Sequence, residues 1–270
     1  MLGRFGEDAK LLAGGHSLLP MMKLRLAQPT HLIDLAGVGE LAFIKEEAGK
    51  IVVGAASTHS QLESSDLVRG KLGLLGECAG AIGDVQVRNR GTIGGSLAHA
   101  DPAADYPAGV LALEGEITLA SASGTRIVKA ADFFVDFLTT ALKPGEILTQ
   151  VSFAPIAAGT GYAYVKHPQP ASGFAIVGVA AMLKLNAQGN CEIARVAVTG
   201  LGAKAFRATA AENGLSGKAP SAQAITAAAS HAADGADPMS DIHASADFRA
   251  ELARVYARRA LEQALARCKR

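Results

Sequence analysis

Two glycine-containing segments of the 270-residue sequence hold residue types that could bind an anion. The first lies between an apolar strand-like segment and a helix-like one and consists of Ala13, Gly14, Gly15, His16, Ser17, Leu18, Leu19 and Pro20. Paired glycines allow a turn in which successive N–H groups face one anion, and a following helix N-terminus adds partial positive charge. The chemistry that this segment suggests is phosphate binding.

The second segment lies in the same half of the chain and carries similar groups. It consists of Gly91, Thr92, Ile93, Gly94, Gly95 and Ser96, followed by Asp101, Pro102 and Asp105. It offers a second Gly-Gly nest, hydroxyls, and a carboxylate that could accept a hydrogen bond from ribose. Neither segment has the spacing of a Rossmann or P-loop motif. A single Gly-Gly pair is most simply a tight turn, but the two together favour a ligand with two phosphates.

Composition argues against several other functions. The chain has 26 basic and 25 acidic residues, a net charge of +1, so no overall field attracts nucleic acid. The longest apolar run, residues 174–183, is too short to cross a bilayer. The N-terminus is not a secretory signal, because acidic residues precede any apolar core. We therefore expect a cytoplasmic protein with no nucleic-acid partner and no integral membrane segment.

The three cysteines limit which metal sites and disulfide bonds this chain can form. Cys78, Cys191 and Cys268 are far apart in the sequence, which argues against zinc and disulfide frameworks. A protein-held iron–sulfur cluster usually needs four thiolates. We expect no metal site in this chain.

The elements that must position the two segments are mixed helices and strands. The pattern predicts a strand at residues 10–13 and a helix at 18–26 around the first segment, and a loop at 91–102 around the second. Residues 153–161 read as a linker between two domains. Beyond the linker the predicted strands cover 161–165, 174–185 and 192–199, and the predicted helices cover 205–213, 221–233 and 246–268. The last helix carries an apolar stripe that is expected to face the core, namely Phe248, Leu252, Val255, Leu261 and Leu265.

Together, the two segments resemble the FAD signatures of the flavoprotein (medium) subunit of molybdenum hydroxylases. The first signature also covers Met22, Lys23 and Arg25, and Asp101, Pro102 and Asp105 belong to the second. The pattern is similar to the medium chains of the carbon monoxide dehydrogenase type and to the FAD domain of xanthine dehydrogenase. The resemblance extends from about residue 6 to the C-terminus.

This resemblance implies an α+β fold with two domains. Residues 1–157 would form a two-part FAD-binding domain of the vanillyl-alcohol-oxidase (PCMH) type. Residues 158–270 would form a smaller α/β domain of the carbon monoxide dehydrogenase flavoprotein type. Relatives carry a strand and most of a helix before the first segment, so an N-terminal strand is expected to be missing here. The FAD would be noncovalent, with a covalent bond to His16 as the alternative.

Carried over by position, the resemblance also implies the cofactor-binding residues. They are Ala13, Gly14, Gly15, His16, Ser17, Leu18, Thr92, Ile93, Gly94, Gly95, Ser96, Asp105, Leu148, Lys166 and Phe174. The two glycine segments would contact the diphosphate, and Asp105 a ribose or nearby hydroxyl. Leu148 and Lys166 would lie against the flavin ring. Ser96 replaces the usual Asn, and Phe174 replaces a Tyr of the carbon monoxide enzyme.

The implied function is electron transfer within an oxidoreductase complex, with no catalytic residue on this chain. A large subunit would hold the molybdenum–pterin centre, and a small subunit would pass electrons through [2Fe–2S] clusters to this FAD, which reduces an external acceptor. The expected assembly is a dimer of heterotrimers, with any membrane contact peripheral and made through the complex. The alternatives are a self-sufficient FAD oxidase of the same fold and a binding module that has lost FAD.

Overall fold

A computed structural model describes residues 2–268, except for the side chain of Glu7. The helices of the N-terminal part are α1 (Leu2–Phe5), α2 (Leu18–Lys23), α3 (His59–Ser64), α4 (Asp66–Lys71), α5 (Gly73–Ala81), α6 (Val85–Arg90), α7 (Ile93–His99), α8 (Tyr106–Ala112) and α9 (Ala130–Phe133). Its strands are β1 (Ala9–Leu12), β2 (His31–Asp34), β3 (Ile44–Glu47), β4 (Lys50–Gly54), β5 (Glu116–Ser121), β6 (Gly124–Lys129), β7 (Phe134–Asp136), β8 (Thr139–Thr140) and β9 (Ile147–Phe153).

The N-terminal part contains two sheets that border the glycine segments. Strands β1 and β2 pair in parallel, and the first segment leaves the end of β1. An antiparallel sheet has the order β3-β4-β9-β5-β6 and buries Ile51, Val53, Ile117 and Val151 in the core. Helix α8 is buried throughout and contributes to the same core, so the second segment, just before it, is held on a rigid support.

The C-terminal part is a sheet covered on both faces. Its elements are β10 (Thr160–Pro168), β11 (Ala175–Leu185), β12 (Cys191–Thr199), β13 (Phe206–Arg207), α10 (Thr209–Leu215), α11 (Ala222–Ala229) and α12 (Ala246–Arg267). Ala180 and Met182 of β11 face the N-terminal core, whereas Val179, Ala181 and Leu183 belong to the core built with the C-terminal helices. This two-sided burial explains the unbroken apolar run of β11.

One predicted element differs near the second glycine segment. The predicted loop at 91–102 is wrong, because α7 occupies residues 93–99 of it. Thr92 caps this helix, and its hydroxyl oxygen accepts the Gly95 N–H at 3.1 Å. Helix propensity does not predict α7, because two of the residues in its first turn are glycines and glycine is a poor helix former.

The C-terminal helices follow the prediction with three differences, one being that the helix predicted at 221–233 ends at Ala229. The helix predicted at 205–213 begins only at Thr209, because Phe206 and Arg207 pair with β12 as a short edge strand. Helix α12 spans nearly the whole predicted range, capped by Ser245. Leu252 and Leu261 of its predicted stripe are buried, whereas Phe248 is exposed and meets His167 edge-on. None of the helices within residues 2–268 is long and apolar enough to cross a bilayer.

Candidate functional site

A cavity of about 730 Å³ lies where the two glycine segments meet. Most of the residues carried over from the resemblance line it, namely Ala13, Gly14, Gly15, His16, Ser17, Leu18, Thr92, Gly94, Gly95, Ser96, Asp105, Leu148 and Phe174. Its volume falls within the range of roughly 300–1,000 Å³ that is usual for cofactor and small-molecule sites. The structure therefore brings most of the predicted residues to one site.

The first segment owes its path to its glycines. The carbonyl of Leu12 accepts the Leu35 N–H at 2.8 Å, which ties down the end of β1. A β-carbon at Gly14 would collide with the carbonyl oxygen of Arg90. Gly15 has a φ of +78°, a conformation that L side chains rarely adopt. Only this pair of glycines lets the first segment turn while it touches the second.

The backbone of the first segment presents unused donors to the cavity. Within residues 2–268, the N–H groups of Gly14, Gly15, His16, Ser17 and Leu18 have no protein acceptor. The Ser17 hydroxyl does not cap α2, although the Ser17 carbonyl accepts the Met21 N–H at 3.2 Å. Consecutive free amides that line a cavity form an anion-binding site. The free amides therefore support the predicted phosphate binding by this segment.

The second segment behaves differently. Most of its N–H groups are already used: Ile93 donates to the Ser57 carbonyl, Gly94 to the Ala55 carbonyl, Gly95 to the Thr92 hydroxyl and Ser96 to the Thr92 carbonyl. The prediction of a second nest of free amides is therefore wrong, because the helix cap and the Ala55–Ser57 backbone take these donors. A β-carbon at Gly94 would lie 2.7 Å from the Ala55 carbonyl oxygen. This segment acts as a close-packed wall opposite the first one.

Asp105 places a buried carboxylate on the cavity wall. Its side chain is only 4 % exposed, and its Oδ1 accepts a hydrogen bond from the Tyr164 hydroxyl at 2.6 Å. The Lys166 ammonium lies 2.8 Å from the same oxygen. Burial raises the pKa of Asp105. The charge of the Lys166 ammonium and the hydrogen bonds from Lys166 and Tyr164 act against that rise. The site thus keeps an acceptor next to a single compensating cation.

Lys166 is positioned behind the wall. Its Nζ also donates to the Ala81 carbonyl at 2.6 Å and to the Gly173 carbonyl at 2.5 Å. Its ammonium contacts the cavity-lining Asp105, which links Lys166 to the wall. The structure joins this lysine to the Asp105 carboxylate, and the contact with the flavin ring that the resemblance implies stays a prediction.

Leu148 and Phe174 both line the cavity, although they are distant in the sequence. Leu148 belongs to β9, next to Thr149, whose carbonyl accepts the Ala55 N–H at 2.9 Å. Phe174 is 45 % exposed and follows the turn at Gly173, which packs against Gly83 just before α6. Both apolar side chains are therefore available to a ligand in the cavity.

Ile93 does not reach the cavity. Its side chain is completely buried in the N-terminal core, and its N–H is bound to the Ser57 carbonyl. Ile93 therefore packs α7 against the core and offers no free donor to a ligand, although the resemblance implies that it binds the cofactor.

Sequence reasoning missed His59 on the same cavity wall. The imidazole is 5 % exposed, meets Tyr106 edge-on, and leaves its Nδ1 without a partner within the described residues. Burial, followed by the charges of His16 and Arg88, lowers the pKa of His59 from 6.5 to about 4. Its position after the N-cap Thr58 is visible in the sequence, but nothing there indicates its burial beneath Gly91.

Comparison with known protein families assigns both parts of the chain. Residues 1–155 match the FAD-binding domain of molybdopterin dehydrogenases, and residues 162–264 match the CO dehydrogenase flavoprotein C-terminal domain. The chain belongs to the FAD-binding medium subunits of the molybdenum hydroxylases. This flavoprotein family includes oxidoreductase subunits, so the resemblance seen in the glycine segments is confirmed.

Individual relatives align with the flavoprotein subunit over nearly its full length. The carbon monoxide dehydrogenase medium chain of Hydrogenophaga pseudoflava is 42 % identical over 99 % of this chain and 93 % of its own length. The alpha subunit of the 6-hydroxypseudooxynicotine dehydrogenase complex of Paenarthrobacter nicotinovorans is 38 % identical over 100 % of this chain and 91 % of its own. The relatives therefore differ in the substrates that their names state.

Solved structures confirm the predicted fold class. A chain of carbon monoxide dehydrogenase from Hydrogenophaga pseudoflava superposes with a TM-score of 0.96 at 44 % identity, over 99 % of this subunit and 93 % of that chain. A chain of quinoline 2-oxidoreductase from Pseudomonas putida 86 gives a TM-score of 0.90 at 36 % identity. The superposition covers 96 % of this subunit and 90 % of that chain. The fold is the FAD-binding domain followed by the flavoprotein C-terminal domain.

Proposed function

We propose that this subunit holds FAD noncovalently in the cavity and relays electrons from the [2Fe–2S] clusters of a small partner subunit to an external acceptor. A large partner subunit would hold the molybdenum–pterin centre and oxidise the substrate. The observation that carries the proposal is the row of free amides at residues 14–18, held against the second glycine segment on the wall of one cavity of about 730 Å³. When bound, FAD supplies redox chemistry in one-electron and two-electron steps.

The residues present fit each chemical part of FAD. The amides of the first segment would donate to the diphosphate, and the hydroxyls of Ser17 and Ser96 are within the same cavity lining. Asp105 would accept a hydrogen bond from a ribose or ribityl hydroxyl. Leu148 and Phe174 offer apolar side chains in the cavity lining that would lie beside the flavin ring.

The surface around the cavity supports an assembly with other chains. Leu24 and Leu26, just after α2, are 71 % and 73 % exposed, and Phe137 and Leu138 are 52 % and 41 % exposed. Leu26, Phe137 and Leu138 line a neighbouring cavity of about 350 Å³. Exposed apolar residues grouped in this way usually mark an interaction surface. They favour docking of partner subunits, and our proposal extends to a cytoplasmic dimer of heterotrimers that contacts a membrane only through the complex.

Mild purification through a tag on this chain tests the proposed role. We expect a molybdenum-containing large chain and an iron–sulfur small chain to co-purify, and the complex to reduce its flavin rapidly with its substrate. The isolated chain, reconstituted with FAD, is expected to be reduced only slowly by the same substrate. Rapid reduction of the isolated chain would instead indicate a self-sufficient oxidase.

A further inference from the structure

Tyr164 of β10 contacts the cavity-lining Asp105 through its hydroxyl. Its ring is buried, and its hydroxyl donates a 2.6 Å hydrogen bond to Oδ1 of Asp105. The Lys166 ammonium contacts the same Oδ1 at 2.8 Å. Both side-chain donors therefore meet one oxygen of the carboxylate, which leaves Oδ2 as the oxygen that a hydroxyl in the cavity can approach.

The fold fixes Tyr164 at both ends. Its backbone N–H donates to the Glu77 carboxylate on α5 at 2.8 Å, and Arg267 at the end of α12 holds the other oxygen of Glu77 at 2.6 Å. At the ring end, a β-carbon at Gly178 of β11 would collide with the Tyr164 hydroxyl. The glycine thus leaves the space in which the phenol reaches Asp105. Burial and the charge of Asp105 raise the pKa of Tyr164 well above its usual value, so the hydroxyl stays a donor.

We propose that Tyr164 is a positioning residue of the FAD site: together with Lys166 it holds the Asp105 carboxylate ionised and turned, so that Oδ2 accepts a hydrogen bond from a hydroxyl of FAD. This inference rests on the proposed function. Tyr164 itself does not line the cavity, so it acts through Asp105 and touches no ligand.

The groups that face Asp105 make the consequence of removing this hydroxyl predictable. Lys166 and Tyr164 face it from β10, and Cys78 on α5 and Tyr106 on α8 lie close enough to interact with it. Burial raises the pKa of both Cys78 and Tyr106, so neither adds charge at neutral pH. Loss of the Tyr164 hydroxyl removes a donor that stabilises the ionised carboxylate. The pKa of Asp105 then rises further.

The test is an FAD titration of the full chain, in the complex with which it co-purifies, after removal of the flavin. Tyr164→Phe is expected to raise the dissociation constant for FAD roughly tenfold, the size expected for a hydrogen bond to a charged group. The matched control is Tyr162→Phe, two residues earlier on β10, whose hydroxyl packs at Gly73 away from the cavity. This control is expected to bind FAD like the parent protein.

Two further readouts separate positioning from a general loss of structure. In an Asp105→Asn background, Tyr164→Phe is expected to have no further effect on FAD binding, because its target is gone. The acid limb of the FAD-binding pH profile is expected to move to higher pH in Tyr164→Phe and to disappear in Asp105→Asn. Equal losses with and without Asp105, or an unchanged acid limb, would overturn the role of Tyr164. A parent protein that binds no FAD would overturn the proposed function itself.

Discussion

Gly14 and Arg90 lie in contact where the two segments of the cofactor site meet. A β-carbon at position 14 would collide with the Arg90 carbonyl oxygen and lie 2.7 Å from the Gly91 α-carbon. Backbone therefore meets backbone at this point, with no side chain between the segments. The distance from the free amides of the first segment to the wall formed by the second is set by this contact.

Gly14→Ala is expected to force the two segments apart. Because the clash is with main-chain atoms, we expect an overpacking penalty of about 1–3 kcal/mol in the free energy of unfolding. FAD binding should be lost or greatly weakened, as measured by flavin titration. Gly70→Ala is the matched control, because Gly70 lies in α4 with no atom within 4 Å of a β-carbon. A Gly14→Ala protein that binds FAD as tightly as the Gly70→Ala protein would contradict this contact.

His59→Phe is expected to flatten the acid part of the stability profile. Above pH 6.5 the imidazole is neutral in both the folded and the unfolded chain. As the pH falls from 6.5 toward about 4, the unfolded chain takes up a proton that the folded chain excludes, so stability is lost. A pKa lowered by about 2.5 corresponds to a loss of about 3 kcal/mol.

Urea unfolding at a series of pH values measures this loss. The unfolding free energy of the parent minus that of His59→Phe should fall by about this amount between pH 7 and pH 4. His243→Gln, which removes an exposed imidazole, is the control and should leave the profile unchanged. A constant difference across the pH range would show that His59 is not buried as described.

Arg249→Met is expected to be strongly destabilising. The guanidinium on α12 is 4 % exposed and donates to the carbonyls of Ile176 and Gly200 at 2.5 and 2.6 Å, and to Asp241 at 2.6 Å. The variant leaves these buried carbonyls without donors, at a cost of about 3–5 kcal/mol. Chemical denaturation should show this loss, and Arg258→Met, exposed on the same helix, should change stability by less than about 0.5 kcal/mol.

The cysteines are expected to differ in their reaction with a thiol reagent. Cys78 and Cys191 are 0 % and 2 % exposed, whereas Cys268 is partly exposed at the end of α12. The isolated native chain should therefore be modified at Cys268 first, and Cys268→Ala should abolish this early reaction. Modification of Cys78 at the same rate as Cys268, detected by peptide mass spectrometry, would contradict the packing of α5 against α8.

The sequence allowed the fold and most of the site to be predicted because both depend on short, local signals. The glycine pairs, the Asp105 carboxylate and the apolar run of β11 can each be read within a few residues. The resemblance added the domain order, which the family matches confirm. The role of the cofactor-binding residues themselves stays a prediction.

What could not be predicted depends on contacts between distant residues. The Gly-Gly pattern predicts free amides in the second segment. In the fold, the carbonyls of Ala55 and Ser57 and the oxygens of Thr92 accept most of them. Tyr164 is separated by 59 positions from the carboxylate it orients, and His59 is buried by segments that follow it in the chain. In each case the tertiary packing determines which polar groups are left for a ligand, and no local pattern contains that information.

The flavin content of the acid supernatant tests the central claim most directly. The chain, purified under mild conditions with its partners and incubated with excess FAD, is freed of unbound flavin and precipitated with acid. We predict FAD in the supernatant in equimolar ratio to the chain, and a colourless precipitate. A preparation that contains no flavin after this treatment would contradict FAD binding, and a yellow precipitate would contradict noncovalent attachment.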